Sequence, residues 1–370
     1  MIEEFRESFR ERYQRGKERK AQGRRIVGWL CTYFPEEIYL AAGMESFRIL
    51  GGAEETSKGD ANLYSNLCTF VRNCLEEALR GHYEFLTGFV TCNTCEHIRR
   101  LYDVWKRYVH TPYAYIFSLP CKASEPTIAF FQEELQDIKK SLEEFFKLRI
   151  TNEALHDSIA LCNRTRTLLK RVYDLRKEDS PPISGSDVME VVRAGMVTPK
   201  EPYNALLEKL LEKLENVRPL ESDREQGPRL LIMGSELDDP EYLREIEELG
   251  GRIVTDDLCC GSKYFWDLVG EEGDPWEALA RRYLYRSQCP RMHPAEGRIQ
   301  HLEQLAQTFR VEGVIYQTLK FCGPHAGMYP VIKNAFERMD IPVLRLEREY
   351  VSSGSGQLKT RVQAFFESMS

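Results

Sequence analysis

The sequence predicts an α/β protein made of two doubly wound domains with parallel sheets, joined by a helical segment. Three observations carry that reading. Short apolar runs of strand length alternate with helical patterns, the cadence occurs twice, and a long helical stretch ending in a polar Gly-Pro linker separates the two occurrences.

Taken in order, residues 1–25 read as an N-terminal helix, in which charged and aromatic residues alternate at helical spacing up to Gly23. Ile26-Val27-Gly28-Trp29-Leu30 reads as a buried strand ending at Cys31. Pro35 then opens a short helix over 36–42, which Gly43 closes. Further strands are predicted at 88–90, running toward Cys92, and at 113–119, running to Cys121, with helical stretches between them, so that 26–150 forms the first α/β domain. From 125 to about 214 the pattern is almost continuously helical, with one break at Ser180-Pro181-Pro182, and the connector is placed at 151–225. The polar segment 221–228 ends in Gly-Pro and hands over to a second domain at 226–370. That domain has strands at 229–233, 252–255, 313–317 and 342–346 and helices at 240–249, 276–286, 297–309 and 329–338; residues 352–356 form a loop into the last helix.

Composition bounds the function. The 370 residues are 42% hydrophobic, which excludes a disordered chain, and 51 Lys+Arg against 58 Asp+Glu leave a net charge of -7, which argues against nucleic acid as a partner. The charged N-terminus followed by only a short apolar run predicts neither a secretion signal nor a membrane span, and hence a cytoplasmic protein. Neither GxGxxG after a strand nor GxxxxGK[ST] occurs, so the chain carries no recognisable nucleotide-binding loop of its own.

Eleven cysteines, at 31, 68, 74, 92, 95, 121, 162, 259, 260, 289 and 322, need a reason in a reducing compartment. Cys74, Cys162 and Cys289 read as small buried hydrophobes. Cys31, Cys92 and Cys121 follow strands of the first domain, and Cys259-Cys260 and Cys322 follow strands of the second. Parallel sheets bind ligands beyond the carboxyl ends of their strands, so facing sheets would bring these thiols together. Convergent thiolates select zinc or an iron–sulfur cluster. Cys92-Asn93-Thr94-Cys95 reads either as half of a zinc site lacking its second pair or as a redox dithiol. His325, three residues beyond Cys322, reads either as a group that donates to substrate or cluster or as a helix-start residue.

Several strings resemble one family: Trp29-Leu30-Cys31-Thr32-Tyr33-Phe34-Pro35-Glu36-Glu37-Ile38 with Ala41-Ala42-Gly43, Leu67-Cys68-Thr69-Phe70-Val71-Arg72-Asn73, Thr94-Cys95-Glu96, Lys320-Phe321-Cys322-Gly323-Pro324-His325, and Gly356-Gln357-Leu358-Lys359-Thr360-Arg361-Val362-Gln363-Ala364-Phe365. Their order and spacing are similar to those of the 2-hydroxyacyl-CoA dehydratase and benzoyl-CoA reductase subunits. The resemblance implies two Rossmann-like domains with an iron–sulfur cluster in the cleft between them. It also implies electrons from a separate ATP-hydrolysing iron–sulfur activator, and a small-molecule substrate.

By position, Cys68, Cys95 and Cys322 resemble the three cysteines the family uses most regularly. Cys92, Cys121 and the Cys259-Cys260 pair exceed what one cubane needs, whereas Cys31 precedes a Pro-Glu-Glu turn where dehydratase-like sequences can also carry a Cys; that excess resembles the double-cubane proteins of the family, which are homodimers carrying two four-iron units joined by a sulfide. Two such cubanes need about six thiolates. The expected ligand set is Cys31, Cys68, Cys92, Cys95, Cys121, Cys260 and Cys322, with His325 as the catalytic group. A dehydratase or reductase subunit with a single 4Fe-4S cluster is the second expectation.

Overall fold

The computed structural model describes residues 2–52, 55–216, 227–351 and 355–369. Its N-terminal part runs α1 (Glu3–Arg10), α2 (Arg12–Ala21), β1 (Ile26–Trp29), α3 (Glu36–Ala41), β2 (Glu45–Arg48), α4 (Ser57–Asn62), α5 (Thr69–Leu79), β3 (Gly88–Cys92), α6 (Glu96–Tyr108) and β4 (Tyr113–Phe117). The helices α7 (Glu125–Phe146), α8 (Asn152–Asp174), α9 (Gly185–Gly195) and α10 (Lys200–Glu215) follow. The C-terminal part runs β5 (Arg229–Gly234), α11 (Pro240–Glu248), β6 (Arg252–Asp257), α12 (Ser262–Phe265), α13 (Pro275–Tyr285), α14 (Glu296–Thr308), β7 (Gly313–Leu319), α15 (Gly323–Glu337), β8 (Val343–Arg348) and α16 (Ser355–Met369).

Two four-stranded sheets result, ordered β2-β1-β3-β4 and β6-β5-β7-β8, with every pairing parallel. The two orders are the same when each sheet is counted from its own first strand. In both, the chain reverses its direction of winding after the second strand, which opens a crevice at the carboxyl ends of β1 and β3 in one sheet and of β5 and β7 in the other. The predicted two-sheet α/β class is the one found.

Several elements differ from the sequence-based expectation. The N-terminal helix is two helices, broken at Glu11, where ψ is 7°. Strand β2 is not among the expected strands: Glu-Ser-Phe-Arg carries a charge at each end, yet all four residues are buried. The charges are tolerated because Glu45 meets Arg19 at 3.0 Å and Arg24 at 2.8 Å, while Arg48 meets Glu236 at 3.0 Å. Helix α15 begins at Gly323 instead of 329, since Pro324 falls in its first turn, where a missing N–H costs nothing. The helical stretch is divided further than the one proline break suggests, and Lys147 ends α7 in a left-handed conformation at φ 53°. Most of the expected linker, 221–226, and residues 352–354 of the expected loop lie outside the described residues.

The core is largely continuous. One buried cluster includes Trp29 and Phe89 of the first sheet, Leu135 and Leu169 of the helices between, and Val314 and Tyr316 of the second sheet. Buried ion pairs cross the same seam: Glu37 of α3 binds Arg166 of α8 at 2.5 Å, and Glu36 binds Lys200 of α10 at 2.8 Å. Because these charges are desolvated, each pair holds only while both partners are present, and that fixes α3, and with it the turn carrying Cys31, against the central helices.

Candidate functional site: a thiol-lined cavity

Between the carboxyl ends of the two sheets lies a cavity of about 450 Å³, lined mostly by apolar surface and by six cysteines: Cys31, Cys68, Cys95, Cys259, Cys289 and Cys322. Arg48, Glu236, Arg291, His97 and His325 also reach its wall.

The six thiols fall into two groups by the elements that carry them. Cys68, Cys95 and Cys322 are the N-cap residues of α5, α6 and α15. No side-chain cap hydrogen bond forms at these positions, but backbone N–H groups of the first turn act to lower each thiol: those of Phe70 and Val71 at Cys68, of Ile98 at Cys95 and of His325 at Cys322, where the Ser235 hydroxyl adds to it. Three helix N-termini therefore direct partial positive charge at these sulfurs. Burial nonetheless pushes all three thiols up, Cys95 to about 12; Cys322 raises Cys68 and Cys95 further, and Cys289 raises Cys95 and Cys322.

The second group is carried by loops. Cys31 follows β1, Cys259 lies in the turn after β6, and Cys289 lies between α13 and α14. Burial raises Cys259 and Cys289, and Cys31 raises each further. Cys31 itself is lowered, first by its interaction with the Cys92 thiol, then by the Tyr33 N–H and by Arg48 and Arg286, all against the burial penalty. Side chains do here what helix ends do in the first group. Arg286 donates to Thr32 Oγ1 at 2.7 Å, and Thr32 in turn reaches the Cys259 sulfur at 3.9 Å. The Cys289 N–H donates to Tyr33 Oη at 3.2 Å. Behind them Asp257, fully buried, binds Lys263 at 2.5 Å and Arg298 at 2.6 Å.

Of the residues expected from sequence, Cys31, Cys68, Cys95, Cys322 and His325 line the cavity. Cys92 lies behind Cys31, Cys121 is exposed, and Cys260 is buried with its thiol on Glu236 Oε1 at 3.1 Å; none of these three is on the cavity wall. Cys259, the neighbour of Cys260, and Cys289, read from sequence as a buried hydrophobe, line it as well. Cys289 follows a helix rather than a strand, so only tertiary structure brings it in. His325 is buried and held neutral by burial, helped by Arg298 and Lys263, with Nδ1 3.4 Å from Tyr316 Oη.

Among the described residues no group of three or more His, Cys, Asp or Glu side chains converges on a single metal ion. An iron–sulfur cluster asks for something else: thiolates placed around a volume, each bound to a different iron. Six sulfur donors around one largely apolar cavity suit that chemistry. So does Arg48, 1% exposed, whose Nε and Nη1 have no hydrogen-bond partner among the described residues and would be satisfied by an anionic group in the cavity.

Two parallel sheets facing each other across a sulfur-lined cavity define an α/β protein whose ligand site is shared between its halves. The chain belongs to the family described as 2-hydroxyglutaryl-CoA dehydratase, D-component, whose profile matches residues 31–369. It is 30% identical over 361 residues to the dehydratase-subunit homologue YjiM of Escherichia coli K12, covering 94% of this chain and 92% of that protein. It is 28% identical over 344 residues to one of the benzoyl-CoA reductase subunits of Thauera aromatica, covering 91% and 88%. It is 27% identical over 361 residues to the (R)-2-hydroxyglutaryl-CoA dehydratase beta subunit of Acidaminococcus fermentans, covering 95% and 94%. The relatives are named as enzyme subunits. No helix among the described residues is long and apolar enough to cross a membrane.

Proposed function

We propose that this chain is the cluster-bearing component of an iron–sulfur reductase, with a double cubane held by Cys31, Cys68, Cys95, Cys259, Cys289 and Cys322. The observation that carries the reading is the count and grouping of thiols on one cavity wall, three at helix N-caps and three in loops, since two sulfide-bridged cubanes need about six. Domains at 26–150 and 226–370 clasp the cavity, and 151–225 sets their separation. When bound, the cluster supplies low-potential electrons to a small-molecule substrate. The chain's own residues hold it, exclude water, and keep a neutral His325, backed by Tyr316, at the wall as a proton-carrying group. Lacking a nucleotide-binding motif, the chain depends on a separate ATP-hydrolysing iron–sulfur activator. As with the double-cubane proteins it resembles, it works as a cytoplasmic homodimer.

A second reading is favoured by the names of the relatives: a 2-hydroxyacyl-CoA dehydratase or benzoyl-CoA reductase subunit with one four-iron cluster on Cys68, Cys95 and Cys322. Iron and acid-labile sulfide per chain, measured after anaerobic purification, separate the two. About eight irons support the double cubane and about four the single cluster, while zinc as the sole metal overturns both.

A further inference from the structure

Arg48 enters the cavity from the end of β2, the strand whose charged sequence hides it. It is buried, its guanidinium stacks over Trp29 at 4.7 Å, and Nη2 binds Glu236 Oε2 at 3.0 Å. The other oxygen of Glu236 accepts the Cys260 thiol at 3.1 Å. Two of the three guanidinium nitrogens, Nε and Nη1, are left without a partner among the described residues. An indole face on one side and a carboxylate on one arm leave this fork little freedom to turn. Arg48 lines the cavity together with the six thiols, and among these Cys259 and Cys31 act on it most strongly, which places it beside the loop group.

We infer that Arg48 is the residue that sets the reduction potential of the cluster at the Cys31–Cys259–Cys289 end, donating from Nε and Nη1 to sulfur, with Glu236 and Cys260 as positioning residues that aim it. The inference rests on the cluster reading above. A fixed cation with two N–H donors stabilises the added negative charge of the reduced state, so it raises the potential of the unit it touches. The N-cap thiols have backbone N–H groups and, at Cys322, the neutral Ser235 hydroxyl, but no side-chain cation among their main influences. The two units are thus unequal, and an electron settles on the one beside Arg48. In this arrangement Cys260, although adjacent in sequence to Cys259, is not a ligand; its thiol is the hydrogen-bond donor that holds Glu236 in place.

The test is a reductive titration of the iron-loaded full chain with a low-potential europium(II) chelate, followed by electron paramagnetic resonance, alongside iron analysis. Arg48→Lys keeps charge and approximate volume but loses the fork; it is expected to keep its iron and to shift one cluster signal to a more negative potential, leaving the other in place. Arg48→Gln shifts the same signal further, and Cys260→Ala shifts it less, both with full iron. An iron-loaded Arg48→Lys chain with every signal at the wild-type potential overturns the inference, as does loss of iron from the folded Arg48→Lys chain, which would make Arg48 a requirement for assembly. A wild-type chain that takes up no iron overturns instead the cluster reading on which this one stands.

Discussion

The two groups of thiols solve one electrostatic problem by different means. Cys68, Cys95 and Cys322 cap helices, so the backbone supplies the N–H donors and partial positive charge that a thiolate needs. Cys31, Cys259 and Cys289 lie in loops and, beside single backbone N–H groups of Tyr33 and Arg291, draw on buried cationic side chains: Arg48 and Arg286 at Cys31, Lys263 and Arg48 at Cys259, Arg298 and Lys263 at Cys289. The backbone solution is local and survives most substitutions, because any residue donates its own N–H. The side-chain solution is distributed, because each cation needs a counter-charge and a fixed place. Substitutions away from the thiols should therefore damage the loop group much more than the N-cap group.

The sharpest break is at Asp257, which neutralises Lys263 and Arg298 behind the loop group. Asp257→Asn strands two buried cations and should cost about 3–5 kcal/mol in denaturant unfolding; a loss under about 1 kcal/mol would show that the charges are not the scaffold of that wall. The same pairing predicts a pH dependence. Against the burial penalty, Arg298 and Lys263 hold the Asp257 carboxyl well below its ordinary 3.8, so its stabilisation is complete above that value and is lost as pH falls below it. The unfolding midpoint of the wild type should drop on going from pH 5 to pH 3, and by less in Asp257→Asn.

Metal content probes the comparison next. Cys289→Ala or Cys259→Ala should remove about half of the iron, as should Cys68→Ala or Cys322→Ala, while Cys121→Ala leaves it unchanged. Full iron in the Cys259 and Cys289 variants alone would reduce the site to its N-cap half. A smaller effect is expected at Thr32, which joins Arg286 to Cys259. Thr32→Val forfeits a charge-assisted hydrogen bond worth about 2 kcal/mol and should make iron at the loop group easier to remove with a chelator, with no change at the other. Last comes Cys162, buried but remote from the cavity; Cys162→Ala should cost only about 1 kcal/mol and no iron.

The same contrast decides what could be read in the sequence. The strands legible there are uniformly apolar runs, such as Ile26–Trp29 and Arg229–Gly234 after its first residue. Strand β2 is not legible, because Glu45 and Arg48 are buried only by virtue of partners at positions 19, 24 and 236, which no local pattern announces. The cysteines behave likewise. Cys68, Cys95 and Cys322 precede helix-starting sequences, and their place at the site could be anticipated from the strings around them. Cys289 could not, since its loop follows a helix and is drawn in by Tyr33, more than 250 positions earlier. Between Cys259 and Cys260, the rule that ligands follow strand ends offers no means of choosing. A one-residue step in the turn decides which thiol faces the cavity and which faces Glu236.

The order of the thiols along the chain has a consequence for biosynthesis. Each neighbourhood draws on both sheets: the N-cap group takes two members from the first and one from the second, and the loop group takes one and two. A chain growing from its N-terminus folds its early part first, and that part holds only Cys31, Cys68 and Cys95 of the six, divided between two places. Neither place has three sulfurs until Cys322 or Cys289 has been added. With the proposed cluster ligands, the half-made protein would be a poor metal scavenger, and the competence to bind would arise late and at both places within 34 residues of synthesis, from 289 to 322.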